Sequence, residues 1–252
     1  MNYLSSALIM TFGLAISHQQ TLLAADPSAV DILKDADRAR GSAAVEEGIT
    51  WSVKVDTSGE DGSNSVSYLL KVKGSDALAE AVAPARNKGE MMLFNDRNIW
   101  FFKPGLKKPV AISPRQKLMG QAANGDIAST NYAKDYEGTI MATETVNGEA
   151  CWKLDLKAKA KNVTYDKIRY WISKKDRLGV KAEFLTVSGD VFKLAAFEYK
   201  NKLNSGTKDY AFVSKMTITD ALNPKNITTL NYESPKPSKL SDSLFNVNNL
   251  VR

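Results

Sequence analysis

From Ile49 onward the chain alternates apolar and polar residues in runs of about six to ten, and turn residues separate the runs. A period of two places every second side chain on one face, so these stretches read as half-buried strands. In residues 49–56, Trp51, Val53 and Val55 share a face, and Ser52, Lys54 and Asp56 take the other. Further runs fall at residues 65–73, 90–94, 98–103, 136–146, 149–157, 165–174, 179–187, 191–200, 209–219 and 226–233. Asn147-Gly148 lies between two of them and predicts a tight hairpin, because both central positions of such a turn take positive φ. Ser188-Gly189-Asp190 predicts another. Consecutive strands joined by short loops favour a meander, and a sheet of about ten strands twists into a barrel or partial barrel rather than staying flat. The expected fold class is mainly β with a few helices: a single antiparallel, curved sheet.

Three segments depart from this period. Residues 27–40 (PSAVDILKDADRAR) carry Val30, Leu33 and Ala36 or Asp37 at helical spacing, with Pro27 near the start, and predict an N-terminal helix. Residues 115–123 and 126–132 lie between strand runs and read as helical or irregular, with Met119, Ile127 and Tyr132 as isolated apolar positions. Residues 241–251 predict a last short helix after the Pro-rich stretch 234–237. Helices in these gaps would sit inside the curved sheet or across its open face.

Residues 1–25 contain no Lys, Arg, Asp or Glu, and their apolar core at residues 8–16 is too short to span a bilayer. They read as a secretory signal, which divides the chain into a signal at 1–25 and one domain at 26–252. The single histidine, His18, belongs to that signal, and the single cysteine is Cys151. A mature chain of this composition assembles neither a Ser-His-Asp nor a Cys-His site, nor the usual zinc sites. Carboxylates such as Asp126 and Asp135 remain for acid–base chemistry, but nothing fixes their spacing to a substrate. The reading is therefore a non-enzyme with no cofactor and no metal.

Aromatic and apolar residues occupy the predicted inner positions: Trp51, Trp100, Phe102, Trp152, Leu154, Leu156, Phe184 and Phe197. They either form a plain core or line a cavity suited to acyl chains. The formal charge is +6, and between Lys153 and Arg177 nine basic residues face three acidic ones. This basic outer strip, with Lys157, Lys159 and Lys161, either solvates the surface or meets anionic headgroups or an acidic partner. Nucleic acid is a poor candidate, since no aromatic stacking platform accompanies the charge.

The run from Ile112-Ser113-Pro114-Arg115-Gln116-Lys117-Leu118-Met119-Gly120 through Asn124-Gly125-Asp126-Ile127-Ala128 to Asn131-Tyr132 and Asp135-Tyr136 resembles the bacterial outer membrane lipoprotein-sorting proteins, the LolA/LolB-like carriers. Asp37 to Gly41 is similar to the family's D-x-x-R-G element, Lys88-Gly89 with Asn98 to Pro104 to a second segment, and Trp171 to a strand aromatic. The resemblance implies an unclosed β-barrel whose concave face is covered by helices, enclosing a hydrophobic cavity for acyl chains of lipids or lipoproteins in the periplasm. By analogy residues 115–132 would supply a lid, with Met119, Ile127 and Tyr132 toward the cavity. Arg115 would hold the lid closed by hydrogen bonds to backbone carbonyls. Relatives often carry a Gly-Ser-Asp-type stretch where this chain has Asn124-Gly125-Asp126, so the cargo is left open between lipoprotein and lipid. The alternative is a non-transporting periplasmic module that docks on an inner-membrane exporter of the resistance-nodulation-division type. A monomer is expected in either case.

Overall fold

The computed structural model describes residues 27–41, 45–60, 62–128, 130–206 and 209–251. The predicted signal at 1–25, with His18, lies outside the described residues. The strands are β1 (Ile49–Ser58), β2 (Asn64–Lys73), β3 (Asp76–Ala83), β4 (Met91–Asn95), β5 (Asn98–Phe102), β6 (Val110–Ile112), β7 (Lys117–Met119), β8 (Ala122–Ala123) and β9 (Tyr136–Val146). They continue as β10 (Glu149–Ala158), β11 (Lys167–Ser173), β12 (Gly179–Leu185), β13 (Val191–Glu198), β14 (Asn201–Asn204), β15 (Asp209–Phe212), β16 (Lys215–Asp220) and β17 (Ile227–Pro237). Two α-helices accompany them, α1 (Ala29–Arg38) and α2 (Tyr132–Asp135).

Thirteen strands form one antiparallel sheet in the order β6-β5-β4-β3-β2-β1-β17-β16-β13-β12-β11-β10-β9. The sheet curves but does not close, as the alternation and the resemblance lead one to expect. Its two edges, β6 and β9, are joined in the chain by residues 113–135, which carry β7, β8 and α2, so this connector spans the gap between them. The turn at Asn147 and Gly148 has φ of 51° and 84°, the paired positive values that the dipeptide predicts.

Period two sets what each strand buries. Along β1, Trp51, Val53 and Val55 are buried and Lys54 is exposed; along β10, Trp152, Leu154 and Leu156 are buried and Asp155 and Lys157 are exposed. The inner faces of the sheet converge on one large core that also takes in Ile32, Leu33 and Ala36 of α1. Ser28 caps α1, its side chain accepting from the Asp31 amide. The face of α1 turned inward is Ile32, Leu33, Ala36 and Asp37, whereas Val30, expected inside, is 41% exposed. The helix phase is thus rotated from the expected one, and the stripe 33–36–37–40 points at the core.

Several elements differ from expectation. The lid segment, read as helical or irregular, is mainly a short β7–β8 hairpin followed by a 3-10 turn (Asn124–Asp126), and only Tyr132–Asp135 is α-helical. Gly120 takes a positive φ of 54° at the turn after Met119, and a two-strand hairpin satisfies the backbone where an isolated helix of this length is unstable. The predicted run 209–219 breaks at Val213 and Ser214 into β15 and β16, and β15 leaves the main sheet to pair with β14. That hairpin folds over the sheet, placing Phe212 edge-on to Trp51 at 5.4 Å between ring centroids. The predicted C-terminal helix is two 3-10 turns, Asp242–Phe245 and Val247–Asn249. They cover a second, smaller apolar cluster of Leu78, Leu93, Phe245 and Leu250, joined by Trp100 and Phe102.

Candidate ligand-binding cleft

The connector is fastened to both sides of the gap. On one side Arg115 donates through Nε to the Val163 carbonyl at 3.0 Å and through both terminal nitrogens to Asp166 at 2.6 and 2.7 Å. The hydrogen bond from Arg115, foremost, holds the Asp166 carboxyl below the usual carboxylate range. On the other side Arg97 and Lys134 bridge to Asp135 and Asp96 at 2.8 and 2.6 Å. In between, the Gln121 amide donates to Thr228 Oγ1 of β17 at 2.7 Å. Arg115 therefore meets a backbone carbonyl, as the resemblance implies, and a carboxylate besides.

Between the β7 hairpin and the inner face of β2, β4 and β5 lies an open cleft of about 650 Å³. This is within the range of small-molecule sites, roughly 300–1,000 Å³. Val66, Tyr68, Met92, Phe101, Ile112 and Leu118 supply apolar surface, with Met119 on the hairpin side. Asn64, Arg86, Asn87, Glu90, Gln116, Lys117 and Asn124 supply the polar part of the lining. The cleft is thus amphipathic, its lining divided evenly between apolar and polar residues.

A smaller cavity of about 90 Å³ opens beside the other end of the connector, lined among others by Phe94, Ile99, Asp126, Thr130, Tyr132 and Arg40. Arg40 is 5% exposed and lies two residues beyond α1, after its cap Ala39. Its guanidinium lies over the rings of Phe197 and Tyr132, at 4.6 and 5.5 Å, and Nη2 approaches Met216 Sδ at 3.6 Å. Nη1 has no hydrogen-bond partner, nor do the buried hydroxyls of Tyr170 and Tyr199. The hydroxyls of Tyr132, Tyr170, Tyr199 and Tyr232 surround Arg40 and interact with its charge. Asp37, one helical turn back, accepts from the Ala133 amide at 2.8 Å through Oδ2, while Oδ1 is unpartnered. Burial pushes its pKa up to about 7, against the pull of the Ala133 and Tyr132 amides and of Arg40. Asp126 accepts from the Ala123 amide at 2.8 Å and from the Tyr165 hydroxyl at 2.7 Å, and burial again raises its pKa. Neither carboxylate is within ion-pair distance of Arg40.

The residues expected to line one apolar cavity separate into several groups. Met119 lines the 650 Å³ cleft and Tyr132 the small cavity. Trp51, Ile127, Trp152, Leu154, Phe184 and Phe197 are packed in the main core, Phe184 stacked on Tyr165 at 3.9 Å and Phe197 beneath Arg40. Trp100 and Phe102 face the opposite side of the sheet, against the C-terminal turns. Their expected inward orientation is off by one residue of register: Ile99 and Phe101 point inward instead, because the outer face of β3–β5 is itself covered and apolar. The basic strip is largely engaged. Lys153 pairs with Glu144, Arg169 with Asp155 and Glu183, and Arg177 with Asp35. Lys159 donates to the Ala133 and Lys134 carbonyls at the end of α2, while Lys157 and Lys161 are exposed. Asp135, considered above as an acid–base candidate, is the partner of Arg97.

Comparison with known proteins places this architecture among others. A family model described as "-like: Uncharacterized protein" matches residues 73–252. None of the curated proteins compared with the chain matches it. Among solved structures, a LolA superfamily protein from Nitrosomonas europaea is 28% identical with a TM-score of 0.78, covering 88% of this chain and 99% of that one. A domain described as an outer membrane lipoprotein-sorting protein, from Vibrio parahaemolyticus, is 22% identical with a TM-score of 0.72, over 88% and 98% of the two chains. A DUF1329 family protein from Desulfovibrio piger is 18% identical, again with a TM-score of 0.72, over 88% and 97%. The last two likenesses concern the fold alone.

Proposed function

The chain belongs to the LolA-like family, and from that premise we propose that it is a periplasmic carrier that takes up an acyl chain of a lipid or lipoprotein and moves it toward the outer membrane. The observation that carries this reading is the 650 Å³ cleft with Val66, Met92, Phe101 and Leu118 in its lining, under a connector that is pinned rather than woven into the sheet. A site of this kind gains about 0.8 kcal/mol for each methylene it removes from water. A single chain held this way is bound reversibly, which is what handing cargo from a donor to an acceptor requires. The uncharged apolar segment at residues 1–25 supports export, and no helix among the described residues is long and apolar enough to cross a membrane.

Delipidated protein should take up a fluorescent fatty acid saturably. Met119→Glu and Phe101→Glu place a charge in the cleft from partly exposed positions and should weaken uptake by at least about tenfold. Val187→Glu, at a residue 71% exposed and away from the cleft, should leave it unchanged. An absence of saturable uptake, with native mass spectrometry finding no lipid on protein purified from its own host, would reject the carrier reading.

A further inference from the structure

Arg40 is a buried guanidinium without a counter-ion. A desolvated charge that lacks a partner costs several kcal/mol, and buried polar groups in native proteins are nearly always satisfied. Around Arg40 the aromatic faces of Phe197 and Tyr132 and the neighbouring hydroxyls of Tyr132, Tyr170 and Tyr232 provide partial compensation, but Nη1 has no hydrogen-bond partner and no carboxylate balances the charge at ion-pair distance. The small cavity lies against it. Three cations line that cavity, and two of them, Arg97 and Lys134, are already held by Asp135 and Asp96. Arg40 is the cation among them left to meet an anion.

The cavity also has a defined relation to the cleft. Met92 and Phe101 line the cleft; Phe94 and Ile99, two residues along the same strands, line the cavity. Side chains two apart on a strand share a face, about 6.6 Å apart along it. The connector contributes to both, with Gln116 and Asn124 on the cleft and Pro114 and Gly125 on the cavity. The two openings therefore follow one another along the inner face of β4 and β5.

We infer that Arg40 anchors the acid group of the cargo: the small cavity takes the carboxylate of a single-chain fatty acid whose hydrocarbon tail lies in the adjacent cleft. The inference rests on the carrier reading above and adds to it the head that is recognised. Planar guanidinium and planar carboxylate match in geometry, and a singly charged head fits better than a dianion beside Asp126, which lines the same cavity. Thr130 and Asn131 supply further polar groups on the cavity wall.

The test compares palmitic acid with the C16 alcohol as displacers of a fluorescent probe at pH 8, on full-length processed protein. Wild type should bind the acid at least about tenfold more tightly than the alcohol, the difference one charge-assisted hydrogen bond supplies. Arg40→Met should lose that preference while still taking the alcohol, and Arg40→Lys should keep part of it. Acetate or inorganic phosphate, added alone, should compete with the acid and not with the alcohol, and acetate should be the stronger of the two. Because Arg40→Met removes a buried side chain, a second readout uses wild type only: the carboxyl resonance of bound [1-¹³C]palmitate should titrate at lower pH than in a lipid bilayer. Equal affinities for acid and alcohol, a preference that survives in Arg40→Met, or an unshifted carboxyl titration would overturn the anchor and leave the carrier reading standing. If neither compound binds saturably, the carrier reading itself falls, and the anchor with it.

Discussion

Replacing Asp37 by asparagine should make the protein more stable at alkaline pH, although the side chain removed is a charged one with a backbone partner. Asp37 is 2% exposed, and its only hydrogen bond of good geometry comes from the Ala133 amide to Oδ2. Burial raises its pKa from the ordinary 3.8 to about 7, so the folded state holds the proton more tightly than the unfolded chain. The stabilisation from the protonated form is complete below about pH 4 and is lost progressively as pH rises to about 7. The gap is about three pH units, and at about 1.4 kcal/mol each the loss amounts to ~4 kcal/mol. An asparagine at this position stays neutral throughout, its carbonyl oxygen can still accept from Ala133, and it carries no such penalty. Urea denaturation of wild type and Asp37→Asn between pH 4.5 and 8.5 should give curves that diverge by a few kcal/mol in favour of the variant as pH rises, levelling off above about pH 8. Asp126 titrates in the same direction in both proteins and cancels in the difference. Parallel curves, or a variant that loses ground at high pH, would show that Asp37 is ionised in the fold at acidic pH and that Arg40 is its effective partner.

The Arg115 latch should act on exchange more than on stability. Arg115 and Asp166 are each about one-third exposed, so a double-mutant cycle with Arg115→Ala and Asp166→Ala should give a coupling of only about 1 kcal/mol, and both single variants should release bound fatty acid several-fold faster in stopped flow. Asp166 has a lowered pKa through Arg115, so the latch is present above the unfolded-state carboxylate pKa and lost as pH falls through the folded one; release from wild type should therefore accelerate in acid, and release from Asp166→Ala should not. Gly179→Ala should destabilise by about 1–3 kcal/mol in urea titrations, because a Cβ there meets the Tyr170 hydroxyl inside the packed core; an unchanged midpoint would mean that Tyr170 moves freely.

The strands were legible because their two faces differ chemically. β1 and β10 bury the residues that alternation selects, and the Asn147-Gly148 turn has the backbone its side chains favour. β3 escaped the reading: in DALAEAVA the inward residues Ala77, Ala79 and Ala81 are small and carry no strong strand preference, while the larger Leu78 and Val82 fall on the other face. Trp100 and Phe102 were assigned the wrong face because the neighbouring Ile99 and Phe101 are equally apolar, and the C-terminal turns that cover the outer face are remote in sequence. The connector was recognised as a break in the strand pattern and as a resemblance to a lid, but its hairpin is too short to announce itself by periodicity. The Arg40 site was half visible. The resemblance contained Asp37, Arg40 and Gly41, and the helical spacing 33–36–37–40 aligns both charges with Leu33 and Ala36 on the inward face. What conceals such a site is the expectation that charges point outward, which holds for most side chains and fails where one meets a ligand.

Strand β17 lies in the middle of the sheet, between β1 and β16, with Val53 opposite Tyr232 and Thr217 opposite Thr229. The first strand to be made thus waits for one of the last. During synthesis from the N-terminus, β1 to β6 and β9 to β16 can each zip into a partial sheet, yet each retains a bare apolar margin until residues 227–237 arrive. Such long-range pairing is slow to find. Under the proposed export, in which the chain would cross a membrane as a thread, slowness of this kind would act as a timer: the native fold would be withheld until the thread had nearly passed, and the seam between β1 and β17 would be the stitch that ends the journey.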